Sequence, residues 1–391
     1  MRIVKVRHAS APLASEMANA FINFRTMTTN VVAVETDAVR DGAKVIGYGF
    51  SSNGRYAQPG LLASRFLPRL FEADPAGLRD DTGENISPQA VWRTVMSNEK
   101  PGGHGERSYC IGALDMAVWD AHAKIAGKPL WNILSEKYNG GKYDEKVLVY
   151  PGGGYYRSGK DIEQLTQEMQ GYREQGYRIC KMKVGAVPLK DDMKRVEAAA
   201  KALGSGENLA VDVNGRFTLE EAIAFGNAVE PLRLAWYEEP GDPLDYHLNA
   251  RLIEAYPHAI ATGENLFSHQ DMNNLLRFGG MRPNVDWAQP DPSLCYGLTE
   301  CLVMLDEAEK LGWSRRRFLP HGGHQLGLNM AAGLQLGGSE SYPGVFAPYG
   351  GFAENMPIRD GYATLPKDQP GIGMELKPKL MDEMRKQLEL A

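Results

Sequence analysis

Three carboxylates, Asp212, Glu238 and Glu264, recur 26 residues apart in the second half of this 391-residue chain. Each ends a short apolar run (LAVDVNG, LAWYEEP, AIATGEN), and each run is followed by a stretch with helical spacing. Acids repeating at the length of one strand plus one helix converge if the tips of parallel strands surround a single point. A lone acid after a strand is most simply a cap on the following helix. Three at matched positions repel one another and call for a cation. With no Cys or His in the set, that cation is a hard ion, Mg2+ first and Mn2+ next.

The same rhythm carries the groups that could move protons. Lys181 and Lys183 end the run RICKMKV, Asp291 ends VDWAQPD and His321 ends RRFLPHG. Side chains alternate along a strand, so Lys181 and Lys183 share one side. Two ammonium groups near a divalent ion are expected to depress one lysine's pKa, leaving an amine able to take a proton. Asp291 and His321 end consecutive runs; an Asp oriented on a His fixes its tautomer and raises its pKa, making a general acid or base. Oxygen ligands between a lysine and a histidine form a proton-abstraction site. HGGH at 321–324 has no third soft ligand and is not read as a zinc motif. The glycines at 152–154 lack the context of a dinucleotide loop.

The elements that must position these residues follow a change of pattern near Val147. Strands are expected at 147–151, 178–184, 209–213, 235–239, 259–263, 285–290, 316–320 and 338–342, with helical segments such as 189–203, 245–255 and 297–311 between them. Eight strands alternating with helices imply an α/β fold, a closed barrel rather than an open wound sheet, because polar groups end many successive strands instead of meeting at one switch point. The first part, 1–130, mixes strands (2–8, 31–36, 44–49) with helices, the longest from Glu106 to Ala126 and stopped by Gly127 and Pro129; it reads as an α+β capping domain. The barrel is assigned to 131–350, and 351–391 is expected to pack back on the first domain.

Composition narrows the partners. Hydrophobic residues make up 43% and charged residues 24%, with a formal net charge of −6. An acidic balance argues against nucleic acid and anionic membrane surfaces. No apolar run approaches the roughly 20 residues that span a bilayer, and MRIVKVRH reads as a strand rather than a signal peptide. Cys110, Cys180, Cys295 and Cys301 lack paired or zinc spacing and read as reduced thiols of a cytoplasmic protein.

KMK, DVNG, EEP, GEN, QPD and PHGGH, in this order, resemble the mandelate racemase subgroup of the enolase superfamily. The resemblance implies a (β/α)7β TIM-type barrel behind an N-terminal α+β cap, a homo-oligomer, and one Mg2+ held by Asp212, Glu238 and Glu264. It also implies a reaction that starts by removing the proton α to a carboxylate, with Lys183 as base, Asp291–His321 as a dyad, and Glu340 on the last strand hydrogen-bonding substrate carboxylate. The segments MANAFINF, SNGRYAQ, NEKPGGHGER, GENLFSHQD, PHGGHQ and ESYPG are similar to the tartrate dehydratases of that subgroup. That similarity implies a small hydroxy-acid substrate touched by Asn19, Asn53, Lys100 and Tyr155, with Lys181 grouped among the contacts. Lys100 is the expected cation for a second carboxylate, with Asn53 and Arg55 assisting. A racemase, or a dehydratase of a longer acid sugar, uses the same residues. A barrel kept only as a structural or interaction protein would carry damage among them, and none is visible.

Overall fold

The computed structural model describes residues 1–13, 15–54, 56–157, 161–354 and 356–390. Arg55 lies outside the described residues. The chain begins with three antiparallel strands, β1 (Ile3–Pro12), β2 (Thr28–Arg40) and β3 (Ala43–Phe50), in the order β1-β2-β3. The helix Glu106–Ala126 lies against β3 and is buried over most of its length. Gly47 and Gly49 permit that approach, since a Cβ at either would collide with the helix carbonyls of Ala117 and Ala113. Gly127, at φ +68°, ends the helix, its N–H bonding back to the Ala123 and Lys124 carbonyls.

The second part is built on β4 (Lys146–Gly153), β5 (Cys180–Lys183), β6 (Leu209–Asp212), β7 (Trp236–Glu238), β8 (Ile260–Thr262), β9 (Trp287–Ala288) and β10 (Ser339–Ser341). Parallel pairing runs from β4 through β9 in chain order. Ala288 then bridges Phe318, the Gly337 and Glu340 N–H groups donate to the Phe318 and Pro320 carbonyls at 2.9 and 3.1 Å, and β10 pairs with β4. The pairing thus returns to its first strand. Seven of the expected strands are strands here within a few residues, whereas the expected strand 316–320 starts in a 3-10 turn, Arg315–Arg317, and only 318–320 is tied to the ring, by single bonds. Helices 189–203, 246–255 and 298–310 match the expected segments.

Alternation decides what faces where. Tyr150, Ala210, Trp236, Ala261 and Leu319 form a small buried cluster of their own, while their strand neighbours Met182, Val211 and Tyr237 join the large apolar core under the helices. The tail closes the structure. β11 (Ile358–Arg359) and β12 (Tyr362–Thr364) form a hairpin whose second strand pairs antiparallel with β4. Beyond it, Gly371 accepts from Leu130 N–H at 2.9 Å and Ile372 N–H donates to the buried Asp120 at 2.8 Å. Asp120 also accepts from Tyr48 N–H of β3 at 2.9 Å and from Lys124 at 2.6 Å, so one carboxylate joins sheet, helix and tail. No helix among the described residues is long and apolar enough to cross a membrane.

Candidate active site

Register brings the first site residues together. Lys183 pairs with Asp212 across β5–β6, and Asp212 with Glu238 across β6–β7. Three strand ends therefore present a lysine and two acids side by side. Glu264 stands two residues past β8, where Gly263 at φ +132° turns the chain. One oxygen from each of Asp212, Glu238 and Glu264 lies within 4.8 Å of the others, and all three residues are buried.

These acids sit among cations. Lys183 contacts Asp212, and Lys181 contacts Glu238, lies 2.9 Å from Glu340 and 3.4 Å from Asp212. Burial opposes the charge on both lysines, but the carboxylates outweigh it and hold both well above the usual lysine range. The expected depression of one lysine's pKa applies to a site holding a divalent ion; with the protein's own groups alone, the carboxylates beside each ammonium dominate. Asp212 is held below the usual carboxylate range: burial works against it, and the two lysines prevail. Burial pushes Glu238 up to about 8, aided by Asp212, Glu264 and Glu340. Its second oxygen is fixed at 2.8 Å by both Trp236 Nε1 and Gln289 Nε2.

On another side of the mouth, His321 Nδ1 lies 2.7 Å from Asp291 Oδ2. Its Nε2 faces Tyr342 Oη at 2.9 Å and Glu264 Oε2 at 3.2 Å. Burial disfavours a charged imidazole, yet Glu264, Glu340 and Asp291 raise His321 to about 10. His324 behaves oppositely: burial lowers it to about 4, and its Nδ1 accepts from Gly327 N–H to cap the helix Gln325–Gly333.

A cavity of about 440 Å³ opens between the ring and the first sheet. Lys183, Glu264, His321, Asn19, Asn53 and Tyr155 all line it. The Lys183 ammonium stands 5.6 Å from the centre of the Tyr155 ring. Asn19 uses its side-chain oxygen on Phe21 and Ile22 N–H groups, leaving its amide nitrogen available. Three expected substrate contacts are not among the lining residues. Lys181 and Glu340 are wholly buried beneath the mouth, because Lys181 sits two residues, about 6.6 Å, deeper on its strand than Lys183. Lys100 is also absent from the cavity wall; it is exposed on a loop whose carbonyls at Lys100 and Gly102 are held by Arg107.

Sequence reasoning missed Tyr342, Ser52 and Ser293. Tyr342 follows Glu340 by two residues at the end of β10, so the strand-tip rule could have found it. Ser52 comes from the first sheet and donates to Asp291 Oδ2 at 2.8 Å, a contact with no signal in the sequence.

The oxygen-only triad fits a hard divalent cation. Glu264 Oε2 is buried and makes no hydrogen bond, only an ionic contact with His321 Nε2 at 3.2 Å, which leaves it able to accept such an ion. Parallel strands whose pairing returns to the first, with three acids, a lysine and a histidine at one mouth, make an arrangement in which metal-assisted proton abstraction is chemically possible. The chain belongs to the enolase superfamily: residues 164–380 match the enolase C-terminal domain-like family. It is 32% identical over 341 residues, 86% of each chain, to the 3,6-anhydro-α-L-galactonate cycloisomerase of Streptomyces coelicolor. It is 28% identical over 381 residues to the L-talarate/galactarate dehydratase of Salmonella typhimurium, covering 95% of this chain and 88% of that one. A racemase from Streptomyces coelicolor solved with bound magnesium superposes with a TM-score of 0.76 at 28% identity, over 96% of this chain and 98% of that one. The Salmonella dehydratase liganded with Mg and L-lyxarohydroxamate gives 0.75 at 26%, over 94% and 88%.

Proposed function

We propose that this chain is a Mg2+-dependent dehydratase of small hydroxy acids, converting D-tartrate to oxaloacetate. The observation that carries the reading is Lys183, His321 and Glu264 lining one cavity, with a carboxylate oxygen of each of the buried Asp212 and Glu238 within 4.8 Å of one on Glu264. On this reading those three residues hold the metal, residues 131–350 form a (β/α)7β barrel, and 1–130 with 351–391 form its cap. When bound, Mg2+ supplies positive charge that offsets the triad, acidifies the α-proton of a coordinated carboxylate and weakens Asp212's hold on Lys183.

Lys183 then takes the C2 proton as its neutral amine. The electron pair left at C2 forms the C2=C3 bond as the C3–O bond breaks. His321, kept protonated by its carboxylate neighbours, delivers a proton to that oxygen, and water leaves. The enol tautomerises to the 2-keto acid. Asp291 holds the imidazole, Tyr155 and Asn19 bound the substrate space, and Asn53 approaches from the cap. Lys181 and Glu340 support the floor.

A second reading, dehydration of a longer acid sugar, is favoured by the cavity wall. Among the described residues Lys183 is its only Lys or Arg, whereas Asn19, Asn53, Asn214, Asn265 and Asp242 line it. Such groups suit hydroxyls better than a second carboxylate. Incubating the enzyme and Mg2+ with each tartrate isomer and a panel of mono- and dicarboxylate acid sugars, with keto acid as readout, separates the two. No oxaloacetate from any tartrate isomer removes the first reading. Deuterium exchange with inversion and no loss of water would make the protein a racemase.

A further inference from the structure

Asp291 accepts four hydrogen bonds. Oδ2 takes His321 Nδ1 at 2.7 Å and Ser52 Oγ at 2.8 Å; Oδ1 takes the Ser293 N–H at 2.7 Å and its hydroxyl at 2.6 Å. A carboxylate offers about four lone-pair sites, so this one is filled. Three of the donors belong to the ring segment that carries the dyad. The fourth, Ser52, comes from the antiparallel sheet, 239 residues away in sequence and just past the end of β3.

That sheet holds Ser52 firmly. The preceding residue, Ser51, accepts Asn30 N–H on its side chain at 3.0 Å and the Thr29 hydroxyl on its carbonyl at 2.6 Å. Phe50 packs edge-on against His324 at 5.6 Å between ring centres. His324, with Nδ1 accepting from Gly327, presents Nε2 to the Ser293 hydroxyl at 3.3 Å. The hydroxyls of Ser52 and Ser293 touch, and since each gives its one proton to Asp291 this contact adds no further hydrogen bond.

We propose that Ser52 is a positioning residue for the acid step: its hydroxyl sets the plane of the Asp291 carboxylate, and through it the aim of His321 Nε2, so that the dyad is complete only with the first sheet seated on the ring. This rests on the reading of His321 as the acid. The terminal torsion of an Asp side chain is broad, so losing one donor on Oδ2 frees the carboxylate to turn. A misplacement of about 1 Å at a reacting group can cost on the order of a hundredfold in rate.

The test compares Ser52→Ala, Ser52→Thr and Ser52→Cys with wild type in the full-length, Mg2+-loaded protein, with His321→Ala as reference. Ser52→Ala is expected to lower kcat about tenfold or more, the worth of a hydrogen bond to a charged group, with KM and Mg2+ affinity within about twofold of wild type by this reasoning. Ser52→Thr restores most of the rate; Ser52→Cys, a weak donor, behaves like alanine and serves if the alanine variant does not fold. A second readout needs no turnover: the downfield proton resonance of His321 Nδ1–H, identified by its loss in His321→Ala, should move in Ser52→Ala and return in Ser52→Thr. An unmoved resonance together with wild-type kcat in Ser52→Ala overturns the proposal, as does a rise in KM alone, which would make Ser52 a substrate contact. If His321→Ala stays fully active, the acid assignment fails instead, and the resonance still decides whether Ser52 positions the dyad.

Discussion

Tyr342 Oη lies 2.9 Å from His321 Nε2, on the ring nitrogen opposite the one that Asp291 holds at 2.7 Å. The imidazole is therefore pinned at both ends, and any substrate hydroxyl that takes its proton must meet it beside the phenol. Replacing Tyr342 by Phe keeps the ring, which packs edge-on against Phe346 at 5.6 Å, and removes only the hydroxyl. We expect kcat to fall about tenfold, the worth of one hydrogen bond to a charged partner, with Mg2+ affinity unchanged. Steady-state keto-acid assays check this; an unaltered kcat would show the phenol to be a bystander.

Lys183→Met should abolish turnover, a loss of at least about a hundredfold for removal of a general base, while calorimetry still finds Mg2+ bound. Lys183 contacts Asp212, so the binding measurement also separates a base from a mere counter-ion. Retained activity would take Lys183 out of the mechanism.

Chelation should stop the reaction, and Mg2+ or Mn2+ should restore it. A ligand that binds only the folded state at one hundred times its Kd stabilises it by about 2.7 kcal/mol, so unfolding midpoints should rise with added Mg2+. Glu264→Gln, which removes the charge beside His321 Nε2, should shift the midpoint less at the same concentration. Equal shifts in the two proteins would exclude Glu264 as a ligand.

Asp115 predicts a pH effect far from turnover. Burial raises its carboxyl to about 7 against an unfolded value of 3.8, even though it accepts two hydrogen bonds from Thr299. Between those values the folded state binds more protons than the unfolded state, so this group's contribution to stability falls as pH rises through the window and levels off above it. The change is on the order of a few kcal/mol at about 1.4 kcal/mol per pKa unit. Asp115→Asn should flatten that slope and gain on wild type at about pH 8 relative to about pH 5 in urea unfolding. A constant difference across pH would mean that the carboxyl does not titrate there.

The strand-and-helix rhythm was legible because period-two alternation and 26-residue spacing translate directly into parallel register. Lys183, Asp212 and Glu238 stand side by side for that reason, and Glu264 follows one turn beyond its strand. Periodicity reports which side a residue faces but not how deep it lies. Lys181 and Glu340 were therefore grouped with substrate contacts, although the ring buries them under the mouth. Motif likeness put Lys100 at the site, while its loop is fastened by Arg107 away from the cavity wall.

By itself, the sequence picked out the three acids Asp212, Glu238 and Glu264, the lysine Lys183 and the pair Asp291 and His321, because each is a polar residue type at or just beyond the end of a predictable apolar run. Only the tertiary structure decided what surrounds them. Ser52 on Asp291 and the cavity wall join segments far apart in the chain, and no local pattern records which distant side chain completes a carboxylate's fourth hydrogen bond. Those contacts exist because packing the first sheet onto the ring leaves buried polar groups that must find partners.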